Sequence, residues 1–121
     1  LSRADFSVIT IPASTDTHHL INAELLTWMP TTAHLINVAR GDIVDEAALI
    51  KVLERRQIAG AGLDVYEHEP RVPDTLKKLE NAVLLPHMGT STLEVREDMG
   101  RVAIENLRAA LAGEVPPNLV N

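Results

Sequence analysis

The run Ile58-Ala59-Gly60-Ala61-Gly62-Leu63-Asp64-Val65 is short, apolar or small up to its single aspartate, and followed by the polar turn Tyr66-Glu67-His68-Glu69-Pro70. A strand that is apolar at successive positions, not at alternate ones, is built to be covered on both faces, which marks a parallel sheet with helical crossovers. Similar runs occupy residues 6–11, 33–38 and 82–85, each followed by proline, glycine or charge. At least four strands are expected. Between them the period turns helical. Asn22 can cap a helix carrying Leu25, Leu26 and Met29, and Asp45 can cap residues 46–56, where Leu49, Ile50 and Leu53 form one stripe. Ser91 with Glu94 makes a capping box for a third helix, whose stripe of Met99, Ala103, Leu107, Ala110 and Leu111 ends at Gly113. Strand alternating with helix gives an α/β class with a parallel, doubly wound sheet. The tail Val115-Pro116-Pro117-Asn118 cannot continue the helix, because proline has no N–H to donate.

Composition narrows the function. The 121 residues are 45% hydrophobic, which suits a soluble globular domain and excludes a disordered tail. A formal charge of −6, with Phe6, Trp28 and Tyr66 the only aromatics besides histidine, argues against a nucleic-acid groove. Without cysteine there is no disulfide scaffold, thiolate zinc site or cysteine nucleophile. No apolar run is long enough for a membrane span, no signal segment is visible, and a cytoplasmic location is expected. The start at Leu1, directly before a strand-like run, implies sequence upstream of it.

Ligands of open parallel sheets bind beyond the carboxyl ends of the strands. There the chain places Ala39-Arg40-Gly41-Asp42, then the turn with Glu69, then Pro86-His87-Met88-Gly89. Each residue alone reads as well as a surface charge, but together they suit chemistry at a carbonyl beside a carboxylate. Arg40 can hold the carboxylate through paired hydrogen bonds and polarise the neighbouring C=O. His87 can give the proton that an oxygen needs when its carbon accepts a hydride. Glu69 can hold the other imidazole nitrogen and favour the protonated acid. His18, His19, His34, His68 and His87 make a poor metal set by spacing, and no metal is expected.

Four blocks, Asn37-Val38-Ala39-Arg40-Gly41, Val44-Asp45-Glu46-Ala47-Ala48-Leu49, residues 60–70 and Leu85-Pro86-His87-Met88-Gly89, come in this order. With the opening Ala4-Asp5-Phe6 and the closing Pro117-Asn118-Leu119-Val120-Asn121 they resemble the D-isomer-specific 2-hydroxyacid dehydrogenase family, including its glyoxylate/hydroxypyruvate reductases. The resemblance implies that Arg40 binds substrate, Glu69 supports the imidazole, and His87 is the general acid/base. It also implies NAD or NADP as cofactor, with Val38, Ala39, Arg40, Asp64, His87, Gly89 and Thr90 along it, and Asp64 bonding the nicotinamide carboxamide. Glu67 and His68 match no functional position and read as loop residues.

The Gly-x-Gly-x-x-Gly turn is missing, and Gly60-Ala61-Gly62 is not it, because no helix opens there. Residues 1–90 therefore resemble the second half of a Rossmann-like dinucleotide-binding domain that lacks its first βαβ unit. Residues 91–121 would be a helix and tail returning toward an absent substrate domain. The implied parent is a homodimeric oxidoreductase that moves a hydride between nicotinamide and a small 2-oxo or D-2-hydroxy acid, without nucleic-acid or membrane partners. A nucleotide-sensing regulator or corepressor on the same scaffold is the alternative. The segment by itself is expected to be inactive, and its cut edge to expose apolar surface.

Overall fold

The computed structural model describes residues 1–120; Asn121, the end of the tail quoted above, lies outside them. Strands β1 (Phe6–Ile9), β2 (His34–Asn37), β3 (Gly60–Leu63) and β4 (Ala82–Leu84) form one parallel sheet in the order β1-β2-β3-β4. Val8, Ile36, Gly62 and Val83 lie in one row across it, and Ile9, Asn37, Leu63 and Leu84 in the next. Helices α1 (Ala23–Thr27), α2 (Glu46–Glu54) and α3 (Asp74–Lys77) connect the strands, and a single 3-10 turn, Gly41–Ile43, follows β2. The chain divides into two compact units, Leu1–Met88 and Gly89–Asn121.

The caps anticipated for the first two helices form. Asn22 Oδ1 accepts the Leu25 N–H at 3.0 Å, and Asp45 Oδ1 accepts the Ala48 N–H at 2.9 Å. All four strands occur but are shorter than their apolar runs, because pairing stops where the chain bends into the rim loops. Helix α3 was not anticipated. Four residues carry no period, yet its Leu76 is fully buried.

Within the first unit only one face of the sheet is covered. Leu26, Leu49 and Leu53 pack with Ile9, Leu35, Ala61 and Leu63 into the core. Right-handed crossovers moving the same way along a sheet put α1 and α2 on one side. The opposite face keeps Phe6 and Val83 each 66% exposed and Val8 56% exposed. The strands are thus apolar on both faces, as read, while this unit supplies cover for one.

In the second unit α4 spans Leu93–Leu111. Its N-cap is Thr92, whose hydroxyl accepts the Val95 N–H, and not Ser91, whose Oγ lies 3.4 Å from an Arg96 guanidinium nitrogen. The Ser91–Glu94 box is therefore displaced by one residue, which puts Val95 where the reciprocal acid would stand. At the other end Gly113 takes φ 76°, the Gly113 N–H donates to the Ala110 carbonyl, and the Glu114 N–H donates to that of Ala109. This is the Schellman arrangement expected of that glycine. Asn106 and Asn118 exchange two hydrogen bonds of 3.0 and 2.9 Å, which turn the proline-containing tail back on the helix.

Candidate active site

The carboxyl ends of β2, β3 and β4 carry Arg40, Glu69 and His87 into loops of the first unit. His87 Nδ1 lies 2.8 Å from Glu69 Oε2. An ionised carboxylate only accepts, so Nδ1 carries the hydrogen and Nε2 is the atom left for chemistry. The other Glu69 oxygen accepts the Tyr66 N–H at 3.0 Å. Burial pushes the Glu69 carboxyl up, but the His87 hydrogen bond, the Tyr66 amide and the charges of His87 and Arg40 outweigh it, holding the group below the usual carboxylate range.

His87 takes the left-handed backbone, φ 52°, uncommon for a residue with a Cβ although histidine adopts it more readily than most. Such strain costs on the order of 1–3 kcal/mol and persists only where neighbours over-determine it. Here they do. The next residue, Met88, donates its N–H to the buried Asp64 Oδ1 at 2.6 Å, while Glu69 grips the ring.

Arg40 is exposed, and its Nη1 donates to the Ala39 carbonyl at 2.7 Å. Its charge acts on Glu69, yet it lines a different hollow from the dyad. That hollow, of about 550 Å³, lies between Val38–Arg40 and residues 10–13 at the ends of β2 and β1. Glu69 and His87 border another, of about 340 Å³, with Tyr66, Leu84 and Leu85. The structure thus brings Glu69 and His87 into contact and sets Arg40 within electrostatic reach. Val38, Ala39 and Arg40 are together at the first hollow, whereas Gly89 and Thr90 begin the second unit.

Several residues that organise this rim carried no signal of their own in the sequence. Asn37, 1% exposed, donates from Nδ2 to the Arg40 carbonyl at 2.8 Å and accepts the Ala39 N–H on Oδ1, so it shapes the loop that presents the guanidinium. The Tyr66 hydroxyl donates to the Leu85 carbonyl at 2.8 Å and joins the ends of β3 and β4. Gly41 backs onto the Tyr66–Glu67 peptide so closely that a Cβ there would overlap the Tyr66 carbonyl. The arginine loop and the glutamate loop therefore touch through backbone. Glu67, read as a plain loop residue, has Oε1 2.9 Å from His19 Nε2. Side-chain ligating atoms of His18, His19 and Glu67 lie within 4.8 Å of one another, a proximity that spacing did not suggest. The two imidazoles stack, with ring centroids 4.1 Å apart.

A parallel sheet with a carboxylate-bound imidazole and a guanidinium at its carboxyl rim is an α/β domain whose ligand site is expected at that rim. Residues 1–89 match the model for the NAD binding domain of D-isomer specific 2-hydroxyacid dehydrogenases, and the chain belongs to that family. A glyoxylate reductase of Pyrococcus horikoshii is 50% identical over 121 residues, all of this chain and 36% of that protein. Glyoxylate/hydroxypyruvate reductase B of Pectobacterium carotovorum is 51% identical over 122 residues, covering 100% of this chain and 38% of that one. The crystal structure of an NADPH-dependent glyoxylate/hydroxypyruvate reductase from Sinorhizobium meliloti, in complex with NADP and malonate, superposes with a TM-score of 0.86. It is 40% identical and is matched over 89% of this chain and 34% of its own. The chain thus spans little more than a third of the length of its curated relatives. Among the described residues no helix is long and apolar enough to cross a membrane.

Proposed function

We propose that this chain is the catalytic half of the nucleotide domain of an NAD(P)-dependent reductase for small 2-oxo acids, glyoxylate and hydroxypyruvate being the first substrates to try. The observation that carries this is the 2.8 Å His87–Glu69 contact at a strand-end rim that also holds Arg40. The relatives' names and the dicarboxylate in the Sinorhizobium complex support it.

The residues present fit the nicotinamide end of such a cofactor. Exposed Val38 and Ile11 offer apolar surface beside Arg40 at the larger of the two hollows. A pyrophosphate cradle would need a glycine-rich strand-to-helix turn, which these 121 residues do not contain. The family resemblance assigns Val38, Ala39, Arg40, Asp64, His87, Gly89 and Thr90 to the cofactor. When bound there, a nicotinamide would supply or take the hydride.

The other steps fall to this chain. Arg40 holds the substrate carboxylate and draws electron density from the adjacent keto oxygen. His87 Nε2 delivers a proton to that oxygen, and in the oxidative direction takes it from the hydroxyl. Glu69 fixes the ring through Nδ1 and offsets the imidazolium charge. The parent would act as a homodimer.

The test is turnover by the full-length protein. NADH or NADPH is mixed with glyoxylate, hydroxypyruvate or pyruvate, and cofactor absorbance is followed. Consumption that depends on the oxo acid is expected. Tight nucleotide binding with no oxidation under any pairing would instead make the parent a nucleotide-sensing regulator.

A further inference from the structure

We propose that Glu67 is a positioning residue for this reaction: by taking His19 Nε2–H and the Glu46 amide together, it sets the spacing between the Arg40 loop and Glu69. The inference rests on the acid/base reading above and extends it to a cluster outside the dyad.

The Glu67 side chain is 17% exposed, and its two oxygens face two elements. Oε1 accepts from His19 at 2.9 Å, in the loop after β1, and Oε2 lies 3.4 Å from the Glu46 amide, at the start of α2. In return the Glu67 N–H points at Glu46 Oε2, also at 3.4 Å. An anion at the first turn of a helix is favoured by the unpaired amides and by the helix dipole.

The far ends of these contacts matter most. His19 holds a left-handed backbone, φ 50°, and donates its N–H to the Asp42 carbonyl at 2.8 Å. Asp42 belongs to the 3-10 turn immediately after Arg40. Glu67 follows Tyr66, whose N–H holds Glu69 Oε1. A continuous path therefore runs from the arginine loop through Asp42, His19, Glu67 and Tyr66 to the carboxylate that grips His87. The Gly41–Tyr66 backbone contact closes it on the inner side. If Glu67 releases, the Tyr66 amide and Glu69 lose their outer support, and a displacement of about 1 Å at reacting groups can cost up to a hundredfold in rate. The titratable groups facing Glu67 are His19 and Glu46, with His18 beside them; Arg40 and His87 face Glu69.

The experiment uses the full-length protein with Glu67→Ala, Glu67→Gln, His19→Ala and His19→Gln. Two readouts are taken: kcat for oxo-acid reduction, and the Glu69 carboxyl titration followed by NMR. Glu67→Ala and His19→Ala are expected to lower kcat about tenfold or more, with KM for the nucleotide unchanged. Both should move the Glu69 titration up toward the ordinary carboxylate range, since its His87 and Tyr66 hydrogen bonds loosen. His19→Gln, which keeps a side-chain N–H, should recover most of the rate. Glu67→Gln faces two donors with one acceptor oxygen, so it should lose part of the rate; it decides the matter if Glu67→Ala fails to fold. Wild-type kcat and an unmoved Glu69 titration in a folded Glu67 variant would overturn the proposal, even with a lowered melting temperature. His87→Gln is measured alongside. If it keeps the wild-type rate the acid/base reading itself fails, whereas a dead His87→Gln beside fully active Glu67 variants removes the clasp alone.

Discussion

At the scale of single residues, electrostatics makes opposite demands on two glutamates. The Glu69 carboxyl lies below its ordinary range, so the stability it contributes is present above that range and lost as pH falls through its folded value. Glu46 is buried, which pushes its carboxyl up; the Glu67 amide and the charge of His68 oppose this, and the charge of Glu67 adds to it. A raised carboxyl works in reverse. The fold is penalised for ionising Glu46, and the penalty grows as pH rises through its folded value. Glu46→Gln keeps an oxygen for the Glu67 N–H and removes that penalty. It is expected to raise the urea midpoint near neutrality, with the gain shrinking toward about pH 4. An equal shift at both pH values would remove Glu46 as the source. Arg40→Lys tests the other end of the site. Loss of the two-pronged grip should raise KM for the oxo acid about tenfold, and unchanged kinetics would discard Arg40 as the clamp.

At the scale of elements, the rim is held by close approach as much as by hydrogen bonds. Gly41→Ala would drive a methyl into the Tyr66 carbonyl, with a cost of about 1–3 kcal/mol read from the urea midpoint, plus a loss of kcat as the two loops part. If stability and rate both survive, the loops are not locked together there. How much of this was legible follows from range in sequence. Asn22 and Asp45 were readable as caps because a cap bonds an amide three residues on. Ser91 and Thr92 were not separable, since either hydroxyl could serve and only backbone geometry chooses. Arg40, Glu69 and His87 could be nominated because each follows an apolar strand, and strand ends of a parallel sheet meet at one rim. Their division between two hollows could not. The His19–Glu67 pair lies 48 residues apart, and Glu46 and Glu67 lie 21 apart, joined only once the crossovers fold.

At the scale of the whole molecule, the exposed face of Phe6, Val8 and Val83 is apolar surface of the kind that normally meets another layer. Helix α4 likewise buries none of its residues: Leu107 is 59% and Leu111 80% exposed. A polypeptide of residues 1–121 alone is therefore expected to self-associate in light scattering and to show no reductase activity. The full-length protein should remain dispersed. A monodisperse, well-behaved 1–121 chain would mean that these faces need no partner.

His87, held by Glu69, is proposed as the proton donor at this rim. Its most direct test is the His87→Ala variant of the full-length protein, with kcat for oxo-acid reduction and dinucleotide affinity measured on the same preparation. A fall in kcat on the order of 10²–10⁴ is expected, with dinucleotide affinity nearly unchanged. Wild-type turnover, or a loss confined to dinucleotide binding, would contradict it.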